Sequence, residues 1–432
     1  HVRDAITKTG EVSLDLVYRW DDDTTITVED FLTAVMGKSK YWRSVEITVR
    51  ETPSTYPGLQ SMPCPALETL KMWCIDQSSP LTEPFNLFGG MPAPSTLKEL
   101  TLCRVPVQLE SLELVELEAL TLINLGPHSM EVLTRILRTS PRLVTLVLED
   151  VVGLRAPSTG HTPAIHLQHL HTLKLRLPVP TTRFLLSTLH ADKLDQLTVI
   201  PNFSSIPPSM LFTPSLTHWV PVLQRIAREA DRIEIAFDWF GICSLKFGKL
   251  YYIFNVEVFD TTQCVREILD WHLENLGEAV AALPAWLLYQ DVCPSFGDLR
   301  HFSQLPNVTE LSIAHTPLAE QVPSKLFKAL GSPTRSKPPQ WLLPSLMILH
   351  YDLTNGSKRS LLAMLKGRYG PRGSRDPSLD QLPPPPSLRE IRFYGGIGKT
   401  WALPKDEAFL REVQLLSKGA HIFWMDEQHV FD

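Results

Sequence analysis

The stretch LHTLKL, Leu170–Leu175, sets leucine at its first, fourth and sixth positions, and this spacing decides the fold. Alternate residues of a strand point to opposite faces, so Leu173 and Leu175 share one face while Thr172, Lys174 and Arg176 share the other. Outward from it, the same hexapeptide recurs upstream as LETLKM (Leu67–Met72), LKELTL (Leu97–Leu102), LEALTL (Leu117–Leu122) and LVTLVL (Leu143–Leu148). Downstream it recurs as LDQLTV (Leu194–Val199), VTELSI (Val308–Ile313), LMILHY (Leu346–Tyr351) and LREIRF (Leu388–Phe393). From Leu67 to Leu194 the start-to-start steps are 30, 20, 26, 27 and 24 residues. They bracket the repeat length of about 20–29 that marks a leucine-rich repeat. A closer copy, LESLEL (Leu109–Leu114), reads as an insertion.

Between these strands the apolar spacing turns helical. In SMEVLTRILRTSP, Met130, Leu133, Ile136 and Leu137 fall on one face, and Pro141 stands beyond the end. TTRFLLSTLH (Thr181–His190), PVLQRIAREA (Pro221–Ala230) and KRSLLAMLKG (Lys358–Gly367) repeat the pattern. Each strand–helix unit has an apolar face that it buries only against its neighbours. The fold expected is therefore α/β: a leucine-rich-repeat solenoid with a curved, mostly parallel sheet and helices or irregular segments on the convex side. A compact α/β domain with leucine-rich strands is the alternative. Residues 1–60 read as an entry segment, 61–200 as repeats, 201–305 as irregular aromatic-rich repeats or an insertion, and 306–432 as further repeats. Within the last, Gly367–Pro386 is rich in Gly, Pro, Ser and charge and reads as an exposed loop.

Composition limits the function classes. The chain of 432 residues is 44% hydrophobic and 20% charged, which excludes disorder throughout. A net charge of −6 gives no sign of nucleic-acid or membrane attraction. Prolines number 36, above the usual ~5% of residues, and suit many short elements ended by turns. Cys64, Cys74, Cys103, Cys243, Cys264 and Cys293 lie far apart without a CxxC pair, which fits reduced thiols in an intracellular protein, cytoplasmic or nuclear. The apolar run Ala279–Tyr289 is too short to span a bilayer. The triplets at Asn202, Asn307 and Asn355 read as coincidences of composition.

The opening, TGEVSLDLVYRW followed by FLTAVMGKSKYWRSVEITV, resembles the entry segment of the fungal family of F-box leucine-rich-repeat proteins. Trp42-Arg43-Ser44-Val45 matches the family's Trp-Arg strand, while Ser13 stands where that family carries proline. The repeats, the middle insertion and the LLAMLKGRYG helix are also similar to it. The resemblance implies a substrate receptor. An F-box, expected upstream of His1, would grip the adaptor of a cullin ubiquitin ligase while the repeats hold a target protein. A repeat scaffold or sensor unrelated to ubiquitin is the alternative.

Other motifs point to chemistry, and each has a plainer reading beside it. IRFYGGIGKTWAL ends like a phosphate loop, with Lys399 and Thr400 as the phosphate and magnesium groups of an NTPase. The wrap needs glycine where Phe393 stands, and Gly395–Thr400 reads instead as a turn. His161, His166, His169 and His171 crowd one segment, and His169 and His171 would share a strand face, yet no cysteine or carboxylate joins them. His272 has helical spacing from Ile268 and Leu276 and reads as a packed residue, and Asp21-Asp22-Asp23 as a solvated turn. No catalytic signature is found, and no cofactor or metal is expected. The expected target-binding positions are the outward strand residues Thr69, Lys71 and Trp73, with Thr172, Lys174 and Arg176. Trp73 is taken as an exposed anchor and the cations as its basic partners.

Overall fold

In a computed structural model the chain forms two compact units, His1–Ile206 with Thr213–Val222, and Pro207–Phe212 with Leu223–Asp432. The structure describes residues 11–21, 25–51, 56–60, 64–76, 84–155, 163–201, 214–237, 242–255, 270–272, 274–276, 283–290, 307–314, 322–333, 339–352, 358–370, 382–383, 385–394, 407–424 and 427–429.

In the first unit the elements are β1 (Leu14–Arg19), α1 (Val28–Val35), β2 (Trp42–Val49), β3 (Thr69–Cys74), β4 (Glu99–Cys103), β5 (Ala119–Ile123) and α2 (Met130–Thr139). There follow β6 (Thr145–Glu149), β7 (Ile165–His166), β8 (Thr172–Arg176), α3 (Val179–Thr188), β9 (Leu189–His190) and β10 (Gln196–Val199). Strands β1-β2-β3-β4-β5-β6-β8-β10 pair in that order, all parallel. The short β7 and β9 pair with each other in a separate ribbon.

Register follows the leucines. Val45, Leu70, Leu100, Leu120, Leu146, Leu173 and Leu197 form one buried row. A second buried row runs Ile47, Met72, Leu102, Leu122, Leu148, Leu175 and Val199. Fully burying each such side chain is worth about 1.5–3 kcal/mol, so these rows dominate the stability of the sheet. A one-residue slip would turn every leucine to water, which pins the register.

Local hydrogen bonds repeat with the same period. The first leucine of the hexapeptide donates its N–H three residues back, as Leu67 to Cys64, Leu97 to Pro94, Leu143 to Ser140, Leu170 to Leu167 and Leu194 to Ala191. The carbonyl of Glu68 then accepts from both Lys98 and Glu99, that of Lys98 from Glu118 and Ala119, and that of Glu118 from Val144 and Thr145. Val144 and His171 carbonyls take two amides each in the same way. Both lone pairs of each entry carbonyl are thus used by the next unit. Strands β4, β5 and β6 end on left-handed residues, Arg104, Asn124 and Asp150, whose N–H groups each bond the terminal carbonyl of the following strand.

The helices start where side chains satisfy free amides. Thr27 Oγ1 accepts from the Asp30 N–H at 3.1 Å to start α1, and Ser129 Oγ accepts from Val132 at 3.2 Å to start α2. LESLEL forms a 3-10 turn at Leu109–Ser111 outside the sheet, as an insertion would.

Helix α4 (Val220–Arg228) leads into the second unit's antiparallel β11 (Ile233–Phe237), β12 (Ile242–Phe247) and β13 (Leu250–Asn255). Strand β11 also pairs in parallel with β14 (Ala285–Gln290), and β15 (Val308–Ala314), α5 (Val322–Leu330), β16 (Ile348–Asp352) and α6 (Lys358–Tyr369) follow. Then come β17 (Glu390–Tyr394), α7 (Glu407–Leu416), β18 (His421–Trp424) and β19 (Glu427–His429). From β14 to β18 the sheet is parallel, with β19 antiparallel at its edge. The buried row Ile235, Leu287, Leu311, Leu349, Ile391 and Ile422 continues the pattern of the first unit. Phe393, the residue that breaks the phosphate-loop pattern, is buried in β17 among Tyr351, Phe409 and Trp424.

The expected exposed loop at 367–386 begins later than its composition suggests. Helix α6 continues through Tyr369, and Arg368 is buried. Gly367 allows this, because a Cβ there would lie 2.2 Å from the Gly331 carbonyl oxygen at the end of α5. Arg368 reaches the same junction, donating Nη1 to the carbonyls of Leu330 (3.2 Å) and Leu342 (2.9 Å), and Nη2 to that of Leu343.

Candidate functional site

Each sheet has one face of buried apolar rows and one open face. In the first unit the open face presents Thr69, Lys71 and Trp73 from β3 and Thr172, Lys174 and Arg176 from β8, as the alternation requires. These two groups stand on different strands, with β4, β5 and β6 between them. The intervening positions of the middle row are Thr101, Thr121 and Val147, small and uncharged.

The cations on this face are engaged with carboxylates. Lys71 Nζ lies 3.3 Å from Glu99, Lys174 Nζ 2.7 Å from Glu149, and Arg176 Nε 3.2 Å from Asp150. Arg43 forms a two-pronged pair with Asp15 and holds that carboxyl below the usual carboxylate range. Trp73, expected to be exposed, is half-buried between Thr48 and Cys103, its cross-strand neighbours. Such pairs between partly exposed groups add little to stability, about 0–1 kcal/mol each. Their effect is to fix side-chain directions on the face.

The second unit carries a denser constellation that sequence spacing did not reveal. Glu234, Trp286, Glu310, Ile348 and Glu390 occupy one cross-strand row of its open face. Ala236, Leu288, Ser312, His350, Arg392 and Phe423 occupy the next. Diagonal contacts join the rows. Trp286 Nε1 donates to Ser312 Oγ at 2.8 Å, and the guanidinium of Arg232 lies over the Trp286 ring at 4.8 Å. Arg232 Nε is 3.3 Å from Glu234, which Lys246 also contacts at 3.3 Å.

At the centre, His350 Nε2 lies 2.9 Å from Glu310 Oε1, and its Nδ1 lies 3.1 Å from the Tyr394 hydroxyl. A neutral imidazole with its proton on Nε2 serves both partners. The N–H donates to Glu310, and Nδ1 accepts the tyrosine O–H. This hydrogen bond first, then the charge that His350 carries when protonated and those of Arg232 and Arg392, hold the Glu310 carboxyl below its ordinary range against the opposing effect of burial. Arg392 donates twice to Glu390 Oε2, at 3.0 and 2.8 Å, and lies over the Phe423 ring at 4.9 Å. The result is a set of Trp, Tyr, Phe, Arg and His side chains with their orientations already fixed.

The histidine-rich segment does not gather on one strand. His169 is exposed, and His171 Nδ1 contacts Asp195 at 2.6 Å. His166 instead packs at a tilt against His190 of the neighbouring strand, 4.9 Å between centroids and 35° between planes. Among the described residues no group of three or more His, Cys, Asp or Glu side chains is arranged to hold a metal ion. His272 is a packed residue, as its spacing suggests: it stacks on Phe247 at 5.0 Å and bonds the Tyr252 hydroxyl at 3.1 Å. Gly395–Thr400, His161, Asp22, Asp23, Asn202, Asn355, Cys264 and Cys293 lie outside the described residues. No helix among the described residues is long and apolar enough to cross a membrane.

Comparison of the chain with protein-family models and with curated proteins finds no match.

Proposed function

We propose that the chain is a non-enzymatic protein-recognition module, a leucine-rich-repeat solenoid that forms the target-binding part of an F-box protein in a cullin-type ubiquitin ligase. The observation that supports recognition most directly is the preset strip on the second unit's open face, Arg232–Trp286–Ser312 beside Glu310–His350–Tyr394. Trp, Tyr and Arg dominate the energetics of protein interfaces, and side chains already held in place lose less entropy on binding. The repeated register, which leaves row after row of outward side chains, supports the solenoid reading. The ubiquitin arm rests on the resemblance of the entry segment and needs an F-box upstream of His1. A scaffold without a ligase role is the second reading.

The two arms are tested separately. A target found by proximity labelling should bind the purified chain, and Trp286→Ala or Tyr394→Ala should weaken it at least tenfold with the fold intact, about 1.4 kcal/mol or more. A target whose affinity ignores both substitutions and Arg176→Glu would overturn open-face recognition. The gene product extended upstream of His1 should bind the cullin-ligase adaptor, and residues 1–432 alone should not. Failure of the extended product to bind removes the ligase arm and leaves the scaffold reading.

A further inference from the structure

Three histidines from separate segments of the first unit stand in a column. His166 on β7 and His190 on β9 occupy paired positions of the short ribbon, with ring centroids 4.9 Å apart. His190 is stacked in turn on His218, centroids 4.5 Å apart and planes inclined by 25°. His218 belongs to the 3-10 turn Pro214–Trp219 and donates from Nε2 to the Leu189 carbonyl at 3.1 Å. Its neighbour Trp219 is buried and donates Nε1 to the Leu186 carbonyl in the last turn of α3. The turn is therefore fastened to α3 and β9 through two adjacent side chains, one of them the end of the column.

Ring contacts this close, tilted between His166 and His190 and stacked between His190 and His218, suit neutral imidazoles and penalise two charged neighbours. His190, in the middle, is the ring most affected: burial first, then the positive charges that His218 and His166 would carry, push its pKa down from the ordinary histidine value. Asp192, just beyond β9, pulls the other way and favours the charged ring. From α2, Arg138 donates to the Pro163 carbonyl at 3.3 Å and adds positive charge beside β7. The Leu186 carbonyl of α3 and the Leu189 carbonyl of β9, both neutral, accept from Trp219 and His218.

We propose that the His166–His190–His218 column is an acid-operated clasp. Uncharged and in ring contact, it holds the β7–β9 ribbon to the 214–219 turn, and charging of adjacent rings on acidification releases that turn. The sign follows from the direction of the shift. A histidine whose pKa is lowered by folding binds fewer protons folded than unfolded, so the clasp is at full strength above the ordinary histidine pKa. It weakens as pH falls through that value toward the lowered one. The device is independent of which protein the open faces recognise.

Amide hydrogen exchange, read by mass spectrometry on the full chain and corrected for intrinsic rates, tests it. Between pH 7.5 and 5.5, peptides covering 163–170, 186–193 and 214–220 should exchange about fivefold faster, while β3–β6 hold their protection. His190→Phe keeps a ring in the middle of the column but removes its charge, and should cut the acid response to below about twofold. An equal acid response in His190→Phe, or none in the unsubstituted chain, overturns the proposal. A titration of the imidazole resonances in the unsubstituted chain gives a check without any substitution. The His190 ring should titrate below the ordinary histidine value, and a His190 curve at that ordinary value would also overturn it.

Discussion

The imidazole of His350 stands with Nε2 2.9 Å from a carboxylate oxygen of Glu310, so the two side chains bridge β16 and β15 across the open face. Because Glu310 titrates below its ordinary range, its contribution is present above the unfolded carboxylate pKa and is lost as pH falls through the folded one. Glu310→Gln should therefore flatten the fall in stability below about pH 4.5 and cost only about 1 kcal/mol at pH 7, the pair being partly solvated. Urea midpoints at pH 7, 5 and 3.5 measure both. A variant that keeps the full acid loss would place that loss elsewhere.

Arg368 predicts a large effect from a position that composition assigns to a loop. Its guanidinium serves three carbonyls, at Leu330, Leu342 and Leu343, and its removal leaves them buried without that donor. Arg368→Met should cost upwards of about 2 kcal/mol in thermal or urea unfolding. Arg368→Lys should recover little, because a single ammonium lacks the planar fork that reaches several acceptors. Full rescue by lysine would show that positive charge, not fork geometry, is what matters.

Gly58 sits in the left-handed region at φ +80°, and a Cβ there would lie 2.6 Å from the ring of the buried Trp42. Gly58→Ala must strain the backbone and displace the indole together, at about 1–3 kcal/mol. Near-ultraviolet circular dichroism should register the moved tryptophan. A spectrum and melting temperature unchanged from the parent chain would refute this account of the entry segment.

Thiol chemistry should separate two cysteines of the first unit. Cys64 is buried, and burial pushes its thiol up to about 12, so almost no thiolate exists near neutral pH. Cys103 is only partly covered on the open face. Under native conditions a maleimide should modify Cys103 well before Cys64, at least about tenfold faster, and denaturant should remove the difference. Mass mapping of the labelled peptides decides it.

The strand rows were legible because burial on one face of a sheet imposes a two-residue period, and leucine keeps that period even where loops between units vary in length. Helix α2 was legible for a similar reason, with Ser129 to start it and Pro141 to close it. What escaped lies in contacts between units. His350 and Tyr394 are 44 residues apart, and nothing local to either marks the other as its partner. The histidine cluster misdirected in the same way, since His169 and His171 are close in sequence while His166 pairs with a ring from the next unit. Gly367-Arg368-Tyr369-Gly370 has the composition of a turn, yet its first glycine is where α6 comes close to α5, and the helix runs on past it.

The paired acceptance at each entry carbonyl bears on how such a chain can change its length. Glu68 receives its two amides from Lys98 and Glu99, and Lys98 passes the same arrangement on to Glu118 and Ala119. The joints from β3 through β4, β5, β6 and β8 to β10 are thus chemically the same joint, and none refers to the position of its unit in the series. Excising residues 99–118 would bring Ala119 directly after Lys98, where its amide meets the Glu68 carbonyl and Leu120 enters the row that Leu100 has left. Removing or adding a unit at these joints would conserve register by construction, whatever the length of the segment between its strands.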